Sequence, residues 1–77
     1  MQDPDESRYE VYLMSGRAHI IKVMKVLMKF TARGLKESKD LVDNAPQLVV
    51  SGVIASDAEK LKAALVAAGA TVEVLPV

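Results

Sequence analysis

Between Gly34 and Pro46 the chain reads GLKESKDLVDNAP. A glycine opens the run, a proline closes it, and the residues between them allow little except a short helix. Leu35, Ser38, Leu41, Val42 and Ala45 recur at three- and four-residue spacing, which stacks them on one helical face and predicts that they point inward. Pro46 lacks an amide proton and its ring clashes with the preceding turn, so the helix ends before it. A helix this short is not stable alone; its apolar face has to be covered, and the chain must fold into packed layers.

The flanking segments supply those layers. Tyr9, Val11 and Leu13 alternate with Glu10 and Tyr12, which predicts a strand over Tyr9 to Met14 with one buried face. Ser15-Gly16 is a turn signal, and a helix is expected from Ala18 to about Thr31. Leu48 to Val53 reads as a second strand. Ser56-Asp57-Ala58-Glu59 fits a capping box, predicting a third helix from Ser56 to about Ala68 with Ala58, Leu61, Leu65 and Ala68 on one face. Gly69 stands where a left-handed helix end belongs, and Thr71 to Leu75 alternates again as a last strand. The expected order is β-α-α-β-α-β. It defines an α+β two-layer sandwich of three helices on a three-stranded antiparallel sheet, spanning residues 9–77 as one domain. Residues 1–8 are polar, carry Pro4, and are expected to form a disordered or frayed lead-in.

Composition narrows the function classes. The 77 residues contain no cysteine, which excludes disulfides and thiolate metal sites. The start, MQDPDESR, is acidic where a signal peptide would be basic and then apolar, and lysines punctuate the longest apolar stretches. A soluble, cytoplasmic protein is expected. The formal net charge is zero, but Arg17 to Lys39 holds seven of the ten basic residues while most acids lie elsewhere. That segregation points to an acidic partner for the first half of the chain.

The first helix has more apolar surface than a sheet alone can cover. At about 100° per residue, Lys22, Lys25 and Lys29 share an arc of roughly 60°. Val26, Phe30, Val23, Leu27, Ile20, Met24, Met28 and Ile21 fill about 220° of the remainder, whereas a helix lying on a core needs about 100° or somewhat more. Either the second helix covers the surplus, or Ile21, Met24 and Met28 remain partly exposed as a partner-binding strip. Methionine suits such a strip because its side chain is flexible and polarizable. With Lys25 and Lys39 as a basic rim, the strip fits an amphipathic acidic helix. The same strip could instead close a homodimer between first helices.

Nothing in the chain supports an enzyme, a metal site or a cofactor. His19 is the single histidine and sits near the start of the first helix without a metal-spaced partner. Asp57 and Glu59 are accounted for by helix capping, and no glycine-rich phosphate loop is present. The lysines could touch phosphates, but the chain has little aromatic surface for stacking and no nucleic-acid motif, which argues against that partner.

The Gly34–Pro46 run closely resembles the C-terminal domain of the bacterial large-subunit ribosomal stalk protein, the acidic L-seven/L-twelve family. There a Gly-Leu-Lys-Glu-Ala-Lys-Asp-Leu-Val segment opens the second helix and an Ala-Pro pair follows it; Ser38 replaces the usual alanine. The AGATVEV at the end of the chain and the strand at Tyr9–Leu13 are similar to the same family, so the resemblance covers residues 9 to 75. It implies a domain that recruits translational GTPases, elongation factors among them, through apolar and basic residues of its first two helices. Carried over, the partner-binding residues are Ile21, Met24, Lys25, Met28, Gly34, Glu37 and Lys39. Four places depart from the family pattern near this face: Ile20 replaces a usual lysine, Met28 a usual arginine, Lys22 a usual small apolar residue, and Ala32-Arg33-Gly34 the familiar double-glycine approach. The family's N-terminal dimerisation region and alanine-rich hinge have no counterpart here, so a fragment or a stand-alone relative with another regulatory role is expected, with residues 1–8 favouring the latter.

Overall fold

The computed structural model describes residues 7–77. The central element is β1 (Tyr9–Ser15), whose Val11 and Leu13 are fully buried while Tyr12 between them is only partly so. It pairs on one side with β2 (Gln47–Val53) and on the other with β3 (Thr71–Pro76), antiparallel in both cases, giving the strand order β2-β1-β3. The α+β sandwich and the β-α-α-β-α-β order expected from the sequence are therefore found.

Two helices connect β1 to β2. After a 3-10 turn at Arg17–His19 come α1 (Ile20–Thr31) and α2 (Leu35–Asp43). The third, α3 (Ala55–Ala67), carries the chain from β2 across β1 to β3. Each helix gives a narrow stripe to one core: Val23, Met24 and Leu27 from α1, Leu41 and Val42 from α2, and Ala58, Leu61 and Leu65 from α3. Fully burying a leucine or valine contributes roughly 1.5–3 kcal/mol relative to leaving it exposed, so these stripes and β1 carry most of the stability. The other sheet face presents Tyr12 between Leu48 and Glu73, with Glu10 opposite Leu75. There the Tyr12 hydroxyl donates to Glu10 Oε1 at 3.3 Å, and burial together with the Glu10 carboxylate holds the phenol above its ordinary pKa.

The strands are irregular for a local reason. The β1–β2 register shifts on both sides of Val11, and the shift between Tyr9 and Val11 lies beside Gly52, whose φ of +73° is a conformation that glycine adopts without steric cost. The bulges let both Val49 and Val50 pack toward the core.

Helix ends depart from the expectation at α1, which starts at Ile20 rather than Ala18, at α2, which stops at Asp43 rather than Ala45, and at the start of α3. The helix α3 starts at Ala55 behind Ile54 with no side-chain cap, so Ser56 lies inside the first turn and the expected capping box does not form. Asp57 still places a negative charge where the helix dipole is positive. At the other end the expected left-handed cap is present. Gly69, at φ +95°, donates to the Val66 carbonyl at 2.9 Å, and Ala70 donates to the Leu65 carbonyl at 2.9 Å, the two bonds of a Schellman motif. The expected lead-in falls largely on residues 1–6, outside the described residues; the Arg8 carbonyl accepts the Val77 amide at 3.0 Å and ties β3 to the start of β1.

Candidate protein-docking site

The buried stripe of α1 is narrower than its apolar arc, and the surplus is exposed. Ile21 is 59% exposed and Met28 37%. Met24, placed with them on sequence grounds, is only 4% exposed and belongs to the core. On the wheel it lies between Ile20 and Met28, and the core rather than solvent covers it. The expected strip is thus present without its central methionine. Ile20, at the N-terminal end of the buried stripe, is half-buried and packs against the core.

The second helix adds a residue that the spacing argument put inside. Leu35 is 65% exposed, because it is the first residue of α2 and projects beyond the core that Ser38, Leu41 and Val42 enter one turn later. Leu35, Lys39 and Asp43 stand four residues apart and share a stripe. Along it Lys39 Nζ lies 3.3 Å from Asp43 Oδ2, a solvent-exposed pair contributing little to stability. The connection of residues 32–34 is short, and α1 and α2 pack against each other.

Gly34 is the N-cap of α2, in extended backbone with no side-chain cap. A Cβ at Gly34 would run into the Glu37 carboxylate, which folds back over the first turn toward the unsatisfied amides of the helix start. Gly34 and Glu37 therefore shape the connection between the helices. Glu37 lies roughly 200° around α2 from Lys39, so the two do not share a face. Of the seven residues carried over from the resemblance, Ile21, Lys25, Met28 and Lys39 are exposed on α1 and α2, Gly34 and Glu37 lie at the start of α2, and Met24 is buried.

Electrostatically the face is basic. Lys22, Lys25 and Lys29 form an exposed ridge along α1, and among the described residues none of them is ion-paired. No group of three or more His, Asp or Glu among the described residues could hold a metal ion, and no helix of the described residues is long and apolar enough to cross a membrane. A flat, basic, apolar-flanked helix pair is a surface for recognising another macromolecule rather than for enclosing a small substrate.

Comparison with known proteins agrees with this class. Residues 9–75 match the ribosomal protein L7/L12 C-terminal domain family, and the chain belongs to that family. It is 51% identical over 70 residues to the large ribosomal subunit protein bL12 of Brevibacillus brevis, covering 91% of this chain and 58% of that protein. It is 49% identical to the bL12 of Anoxybacillus flavithermus, with 91% and 58% covered, and 46% identical to that of Micrococcus luteus, with 91% and 59% covered. The chain thus spans under two thirds of the length of these relatives.

Proposed function

We propose that this domain is a non-enzymatic docking module that recruits translational GTPases, elongation factors among them, during protein synthesis on the cytoplasmic ribosome. Membership in the family supports the reading, and one observation carries it: Ile21, Met28 and Leu35 expose apolar surface on two adjoining helices, beside Lys25, which is not ion-paired among the described residues. An amphipathic helix with acidic flanks would bury the apolar residues and meet the lysines at its edges. With Ile20 and Met28 where the family resemblance implies cations, attachment would lean more on apolar contact and less on charge. Lys39 would have to exchange Asp43 for a partner carboxylate, at little cost because the existing pair is exposed.

The test is the double variant Ile21→Ala/Lys25→Ala, titrated calorimetrically against an elongation-factor GTPase. Both side chains are exposed, so the fold and its melting temperature should be unchanged. The expected loss of affinity is about tenfold, the equivalent of roughly 1.4 kcal/mol. Undiminished affinity in the folded variant rejects this face. Met24→Ala is unsuitable for the purpose, since it opens a cavity in the core.

The exposed Ile21 and Leu35 also support a second reading, self-association through the same helices. A monomer mass that stays constant at high protein concentration would dismiss it.

A further inference from the structure

The lysine ridge of α1 has a second apolar shoulder. Around the helix from Lys22, on the side away from Ile21 and Met28, stand Val26 and Phe30. Phe30 is 44% exposed although it is the only phenylalanine of the chain and an evident candidate for the core. Its ring walls an open groove of about 310 Å³ whose other sides are Val50 and Val53 of β2 and Leu61 of α3. The rim carries Lys60 and Asp57 from α3, and Lys29 Nζ sits 5.8 Å from the centre of the Phe30 ring. Counting Lys29, the rim has one positive charge in excess, and the ridge adds Lys22 and Lys25. None of these four lysines is ion-paired among the described residues.

We infer that this groove is a second anchor site, taking one bulky apolar side chain from an acidic helical segment of a partner protein that lies across the lysine ridge. The floor is aliphatic, so the anchor is a leucine or an aromatic ring. The surrounding cations have no ion-pair partner among the described residues, so the segment that delivers it carries carboxylates. Lys29, already over the ring face, is placed to meet an acid beside the anchor while keeping its contact with Phe30. The inference rests on the reading of α1 as a partner-binding helix, but not on the partner being a GTPase.

The experiment uses amide chemical shifts of the isotopically labelled chain and a short synthetic glutamate-rich helical peptide with one central leucine. A matched peptide with alanine in that place is the control, and the free protein is run at two concentrations. The leucine peptide should shift Val50, Val53 and Leu61 saturably, and the alanine peptide should not. Phe30→Ala should weaken the leucine peptide about fivefold, as expected for losing part of an aromatic contact. Lys60→Glu, a surface change, should weaken it as well. Equal shifts with both peptides, or no shift at these three residues, overturn the inference. So do concentration-dependent shifts there in the free protein, which would assign the groove to a second copy. Shifts confined to Ile21, Met28 and Leu35 also overturn it, while leaving the docking face on the other shoulder standing.

Discussion

Ser38 is fully buried on the inward side of α2, and its hydroxyl has no hydrogen-bond partner among the described residues. Its own amide already donates to the Gly34 carbonyl at 3.0 Å, and Leu41 and Val42, the other buried residues of α2, offer no polar side chain. An unsatisfied buried hydroxyl costs about 1–3 kcal/mol, whereas a methyl in its place costs nothing in solvation. Ser38→Ala should therefore stabilise the domain by about 1 kcal/mol, raising its melting temperature by roughly 4–8 °C. A thermal melt that is unchanged or lower would mean that the hydroxyl is satisfied in solution. Spacing alone placed Ser38 inside correctly. The same spacing failed at Leu35, because periodicity gives a direction around the helix and says nothing of whether the core extends that far along it.

At the scale of elements, two helix ends can be compared. Both α1 and α3 finish in left-handed backbone, at Ala32 with φ 56° and at Gly69 with φ +95°. For a residue with a Cβ that conformation costs roughly 1–2 kcal/mol. The end of α1 bears this strain beside the candidate face; the end of α3 avoids it. Gly69 has a second constraint, since a Cβ there would collide with the imidazole of His19 packed across it. Gly69→Ala should accordingly destabilise by about 1–2 kcal/mol or somewhat more, as read from urea unfolding midpoints. A loss below about 0.5 kcal/mol would show that the His19 ring moves aside and the backbone relaxes. The stop at Gly69 was legible because the residue type and the conformation coincide. The start of α3 was not. Ser56 and Glu59 have the spacing of a capping box, but the helix begins at Ala55, where the chain leaves β2, and tertiary position outweighs the local signal.

For the whole molecule, the sheet and its three helices were legible because each element carries the period of its own class, and the order of elements leaves few ways to cover their apolar faces. The candidate face was legible in part. The surplus apolar arc of α1 was visible as a quantity, but which residues would be left over depended on how far α2 and α3 reach around it. In the folded domain Met24 is buried and Phe30 is exposed at the opposite edge. The central claim is that the α1–α2 face, and not the open side of the sheet, receives a translational GTPase. An amide chemical-shift titration of the labelled domain with an elongation-factor GTPase tests it most directly. The account predicts shifts concentrated on Ile21, Lys25, Met28, Leu35 and Lys39. Shifts concentrated instead on Tyr12, Leu48 and Leu75, or none at saturating factor, would contradict it.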